Sequence, residues 1–157
     1  MLNSPRAHVL ALALTLALGL SAAPASARQG GDFGLGVQIG EPSAAISGKL
    51  WMGQTNALDM AFGFSAVNDW IMVQADYLWH HYNVIPVASG ELPIYYGMGA
   101  TVVASGNPGI GVQGVIGIAY HFPSAPLDLF LDLSPGAFIF PEPSPNVGLA
   151  IGMRFYF

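Results

Sequence analysis

His80, His81 and His121 are the side chains in this sequence best suited to hold a metal, and Asp128 follows shortly after the last of them. Two imidazoles and a carboxylate make a zinc-type donor set. Their spacing forms no local ligand motif, and rim histidines bonded to water or loop carbonyls would account for His80 and His121 as simply. "HFPS" (121–124) sets Ser124 close to His121, the residue types of a nucleophile and its base. Asp128 and Asp132 could in principle work as an acid and a base. Four residues apart on a strand, they stand ~13 Å apart, too far to act on one bond. "GEPS" (40–43) and "GNPG" (106–109) are not phosphate cradles, because neither leads from a strand into a helix. The chain has no cysteine, so thiolate catalysis, all-cysteine metal sites and disulfides are excluded.

The elements that must position these residues are strands. Eight period-two segments run near 33–39, 44–52, 57–65, 70–81, 92–103, 110–122, 127–139 and 147–157. Gly, Pro, Asn and Ser clusters separate them, which is the hairpin signature. Their faces differ sharply. In "PLDLFLDLSP" (126–135), Leu127, Leu129, Leu131 and Leu133 share one face, and Asp128, Phe130, Asp132 and Ser134 share the other. The last segment sets Val147, Leu149, Ile151, Met153, Phe155 and Phe157 against Gly148, Ala150, Gly152, Arg154 and Tyr156.

In a soluble antiparallel sandwich the polar face meets water and should be rich in Lys, Glu and Thr. Here it mixes Gly and Ala with isolated charges. That pattern predicts an inverted barrel, with the apolar face toward lipid and the polar face lining a narrow interior. Only a closed barrel satisfies every strand backbone group in lipid. Eight strands leave an interior just wide enough for side chains to fill, which favours small residues inside. The expected fold is therefore all-β, an eight-stranded antiparallel up-and-down transmembrane barrel.

A charge in such a lumen needs a partner. Lys49 and Arg154 are the two bases expected inside, facing Asp59, Asp76, Asp128 and Asp132. These six should form a lumenal network, with Gln38, Gln74, Gln113, Tyr95 and Tyr156 supplying further hydrogen bonds. Four acids face two bases, so some acids should be solvated. Aromatic residues gather at the segment ends: Phe64 and Trp70 at one, Tyr77, Trp79, Tyr120, Phe122, Phe155 and Phe157 at the other. This is where interfacial girdles stand.

Composition agrees. Of 157 residues, 53% are hydrophobic and only 8% charged, against ~25% charged in ordinary soluble domains. Mean hydropathy is +0.52. Residues 1–27 have a basic start, a short apolar run at Val9–Leu20 and a small-residue site at Ala25-Ser26-Ala27. This is the layout of a cleaved signal peptide, and the apolar run is shorter than the ~20 residues a spanning helix needs. The barrel domain would then occupy 28–157. That part has three basic residues against nine acidic ones, so nucleic acid is excluded as a partner.

The ending "GMRFYF" (152–157) resembles the terminal strand of outer-membrane barrels, where it addresses the chain to the barrel-assembly machinery. Phe155 and Phe157 would carry that signal. "GEPSAAISGKLW" (40–51), "ALD" (57–59), "QADYLWH" (74–80), "LPIYYGMG" (92–99), "GIAYHF" (117–122) and "APLDLFLDLSP" (125–135) resemble a family of small, functionally uncharacterised bacterial outer-membrane β-barrels. The architecture is similar to that of the OmpA/OmpX-type small barrels. The resemblance implies fold and location and supplies no catalytic residue. One departure is that the turns expected outside the cell are short. Some eight-stranded barrels modify lipid A, but "HFPS" departs from the short His-x-Ser pattern of the barrel deacylases and lies at the wrong rim for an outer-leaflet substrate.

The expectation is thus a monomer in the cell outer membrane, without enzyme activity or cofactor. Its partners would be outer-membrane lipid and the assembly machinery. Its role would be structural or interactive in the envelope. A narrow channel for water or small solutes is the first alternative, and a lipid-modifying enzyme the second.

Overall fold

The computed structural model describes residues 30–41, 44–65 and 69–157. The expected signal peptide, 1–27, lies outside the described residues, as do parts of the turns at 40–43 and 66–69. The chain forms eight strands: β1 (Phe33–Glu41), β2 (Ala45–Trp51), β3 (Asn56–Ser65), β4 (Trp70–His81), β5 (Ile94–Ala104), β6 (Gly109–His121), β7 (Leu127–Phe140) and β8 (Ser144–Tyr156). Each pairs antiparallel with its sequence neighbours, and β8 closes on β1 to complete a barrel. There is no helix among the described residues.

The cross-strand register keeps the two faces apart all the way round. Leu35 opposes Phe155, Leu58 opposes Tyr77, Tyr96 opposes Ile116, and Leu131 opposes Ile151, all pointing outward. Lys49 opposes Asp59, Asp59 opposes Asp76, and Asp128 opposes Arg154, all pointing inward. A one-residue slip at any pairing would exchange the faces. Followed from Gly34 through Lys49, Asp59, Asp76, Gly99, Gln113, Gly136 and Asn146, the ladder returns to β1 about ten residues further on, a stagger that tilts the strands by about 40°.

The strand ends differ from the alternation-based expectation in two places, each with a local cause. β7 and β8 run on at the rim away from the termini, because Ala137 pairs with Pro145 and Phe138 with Ser144. In the same region the β6–β7 register shifts between Ile110 and Gly111. Phe140 pairs with Ile110 and Phe138 with Gly111, leaving Ile139 as an extra residue. This bulge is why Ile139 and Phe140 are both exposed, which strict alternation forbids.

The core is the barrel interior. Leu78, Tyr95, Val115, Ala119 and Phe130 form one buried cluster, and Trp51, Ala57 and Tyr156 another nearer the terminal rim. Inward glycines make room for the rings. A Cβ at Gly152 would strike the Phe130 ring, and one at Gly117 the Tyr95 ring. With eight strands the lumen has no spare width, so a large ring on one strand needs glycine opposite.

Candidate functional site

Four of the inward charges, Lys49, Asp59, Asp128 and Arg154, meet in the half of the lumen nearer the termini. Arg154 on β8 is wholly buried and reaches over β1 to β2 and β3. It can do so because its β1 neighbour is Gly36, which stands between Arg154 and Ser47 in the ladder and has no side chain to block the way. Its Nε donates to Ser47 Oγ at 2.8 Å, and its Nη2 donates to both carboxylate oxygens of Asp59 at 2.9 and 2.7 Å. The guanidinium carbon lies 3.6 Å from the Phe130 ring centre, a cation–π contact. Asp128, beside it on β7, makes an ion pair at 3.7 Å from Nη1, and accepts a 2.6 Å hydrogen bond from the Tyr156 hydroxyl.

Lys49 is equally buried. Its Nζ donates to His80 Nε2 at 2.9 Å and stands 3.8 Å from Asp59 Oδ2. An ammonium only donates, so Nε2 accepts and the ring proton sits on Nδ1, 3.1 Å from the Thr55 carbonyl. The rings of Trp51 and Tyr95 flank the ammonium at 5.0 and 4.7 Å. Asp59 therefore serves both cations, with the Arg154 contact the shorter.

The other two acids are held differently. Asp76 accepts from Gln74 Nε2 at 2.6 Å and from Gln113 Nε2 at 2.8 Å. Gln113 in turn accepts from the Thr101 hydroxyl at 2.7 Å. Asp132 accepts from the Tyr95 hydroxyl. The excess of acids over bases is thus met by neutral amide and phenol donors. A small cavity of about 30 Å³ lies among Gln38, Asp59, Gln74, Asp76, Asp132 and Ser134. That is room for a water or two.

All six predicted network residues point into the lumen, but they form two groups rather than one. Lys49, Asp59, Asp128 and Arg154 share ion pairs, whereas Asp76 and Asp132 sit among neutral partners. The histidines are not brought together as ligands. His80 is bonded to Lys49, and His121 lies edge-on to Trp51 with Nδ1 3.8 Å from Glu91. No three His, Asp or Glu side chains among the described residues could hold a metal. Ser124 stands exposed in the β6–β7 turn. Asp128 and Asp132 take different phenols as partners. Phe155 and Phe157 pack edge-to-face at 5.1 Å at the end of the chain.

Three participants escaped sequence reasoning, one of them Thr101, the inward hydroxyl that donates to Gln113. Ser47 is the Arg154 Nε acceptor, and His80 is the Lys49 acceptor. Ser47 was detectable as the inward polar residue two before Lys49 on β2. His80 was placed inward, but its Lys49 partner depends on the stagger between β2 and β4, which no single strand shows. Comparison of the chain with family models, with curated proteins and with solved structures returns no match.

Proposed function

We propose that this chain is a monomeric outer-membrane β-barrel protein of a Gram-negative-type envelope, delivered by a signal peptide at 1–27, with a structural or interaction role and a lumen closed by its own side chains. The observation that carries this reading is the inverted distribution of polarity. Between the strand ends, the described outward positions hold apolar residues or glycine and no Asp, Glu, Lys or Arg. Leu129, Leu131, Leu133, Leu149, Ile151 and Met153 make one exposed sheet of hydrocarbon across β7 and β8. Soluble monomers rarely expose contiguous apolar patches beyond a few hundred Å². Meanwhile Lys49, Asp128 and Arg154 are wholly buried inside.

Strands β3–β8, of 10 to 14 residues, have the length a bilayer crossing needs, while β1 and β2, of 9 and 7, are shorter. Strands rising about 3.3 Å per residue and tilted about 40° gain about 2.5 Å of height per residue, so ten residues span the ~25 Å apolar band of outer-membrane barrels. The terminal rim carries packed aromatic pairs at Tyr77–Trp79, Trp79–Tyr96, Tyr120–Phe122 and Phe155–Phe157. These would lie at the lipid–water boundary. The partners are then outer-membrane lipid and the assembly machinery, with Phe155 and Phe157 as the terminal address suggested by the resemblance to small outer-membrane barrels.

The buried layer of Arg154, Lys49, Phe130, Tyr95 and His80 argues for a plug rather than a pore. A narrow channel is the second reading, favoured by the cavity beside Asp76 and Asp132. Planar-bilayer recordings of the refolded chain separate the two, with β-sheet circular dichroism in the same lipid as the folding control. The expected result is a silent wild type and measurable leak in Arg154→Ala. Steady wild-type conductance would refute the plug.

A further inference from the structure

We propose that the segment between β4 and β5, residues 82–93, is a membrane-interface anchor that inserts Val84, Ile85 and Val87 into the headgroup layer beside the terminal rim. This rests on the membrane reading above. The segment is far longer than the 52–55 and 122–126 turns at the same rim. Its path runs from the lumen to the outer wall. Tyr82 packs on the Trp51, Ala57 and Tyr156 cluster inside the barrel mouth. Asn83 then turns the chain with a φ of 61°, a conformation asparagine tolerates better than most residues.

The far end is gripped from outside. Tyr120 opposes Leu129 on the outward face of β6, and its hydroxyl donates to the Ser89 carbonyl at 3.1 Å. Gly90 follows with a φ of 72°, and a Cβ there would meet the Tyr120 hydroxyl at 2.9 Å and its ring carbon Cζ at 3.0 Å. Only glycine lets the backbone lie this close to the ring. Glu91 and His121 then exchange backbone hydrogen bonds at 3.1 and 2.8 Å, fixing the loop to the end of β6. Between these anchor points, "NVIPVAS" (83–89) has no charged residue. Its Val84, Ile85 and Val87 are 53%, 38% and 38% exposed.

Lipid is the occupant that the attachment favours. The loop is tied at Ser89 and Gly90 to an outward-facing tyrosine of the aromatic belt, which holds its exposed apolar residues at the rim where the belt stands. Apolar faces of interfacial helices lie about 5–10 Å into the headgroup–acyl boundary, and a pinned apolar loop should reach no deeper.

The chain lacks cysteine, so single-cysteine labels report single sites. The test is an environment-sensitive fluorophore on Val87→Cys, Leu131→Cys and Asn107→Cys, in the chain refolded into phosphatidylethanolamine–phosphatidylglycerol vesicles. Quenching by shallow and deep lipid nitroxides is compared with quenching by aqueous iodide. The expected result is shallow lipid quenching at 87, deep lipid quenching at 131 and iodide quenching at 107. Deep quenching at 131 with iodide quenching at 87 would overturn the anchor while leaving the membrane reading standing. A label at 87 shielded from both lipid and iodide would mean a protein partner or second copy, and would also overturn it. Iodide quenching at 131 would overturn the membrane reading and the anchor together.

Discussion

Leu131→Arg places a permanent charge at the middle of the outward face, where Leu131 is flanked by Ile118 on β6 and Ile151 on β8. Leu131 lies four residues from the β7 start at Leu127, about 10 Å of height at 2.5 Å per residue. That is near the midplane of a ~25 Å apolar band, where arginine on a barrel surface costs about 2–4 kcal/mol. At 1.36 kcal/mol per tenfold, the folding equilibrium should fall roughly 30- to 900-fold. Leu127→Arg, at the rim, should cost only about 0–1 kcal/mol, because the side chain snorkels to the headgroups. If water covered this face, both substitutions would fall within about 0.5 kcal/mol of wild type.

The assay is reversible urea unfolding from phosphatidylcholine vesicles, followed by tryptophan fluorescence. Trp51, Trp70 and Trp79 supply the signal, and Trp51, in the lumen, reports loss of the interior. The depth gradient is what matters, since a single destabilised variant could reflect local packing. Equal costs at 127 and 131, or no cost at either, would refute the assignment of this face to lipid.

Two other substitutions test the interior and the chain end. Asp59→Asn removes the shared counter-ion of Lys49 and Arg154, leaving only Asp128 at 3.7 Å; it should cost about 3 kcal/mol, whereas Asp76→Asn, whose partners are neutral amides, should cost about 1 kcal/mol. The same urea titration reads both, and a larger loss for Asp76→Asn would contradict the division of the network. Phe157→Ala should slow assembly in cells, read as the fraction of chain reaching the outer membrane, while leaving the urea midpoint of the refolded protein unchanged; a shifted midpoint with normal assembly would make Phe157 a packing residue and no signal.

Period-two alternation carried most of the fold because both faces of each strand are chemically distinct. Seven strand starts lie within two residues of their expected positions, and all eight neighbour pairings follow the chain. The start of β8 is the exception. Its first residues, Ser144 and Pro145, look like turn, yet they continue the β7–β8 ladder in unbroken register, opposite Phe138 and Ala137; the bulge at Ile139 lies on the other edge of β7, against β6, and was equally hidden. Bulges depend on two strands at once, so one strand's pattern does not announce them. The same holds for the site. That six charges face inward was legible from parity alone. Which acid meets which base was not, because the stagger brings Arg154 of β8 to Asp59 of β3 as well as to the Asp128 directly beside it.

That reach explains why the lumen is divided. A guanidinium spanning three strands needs a clear path, and Gly36 with Ser47 provides one at this level. Below it the remaining space is filled by Trp51, His80 and Tyr156, which bind Lys49 or Asp128 while excluding water. Above it Asp76 and Asp132 border the cavity of about 30 Å³, where amides and a phenol are their partners. Each half makes sense only with the other. The cations are consumed in the terminal half, so the far half must hold its carboxylates with neutral donors. On the plugged reading proposed above, opening the barrel to solutes would mean parting Arg154 from Asp59, a buried pair whose separation leaves two charges uncompensated.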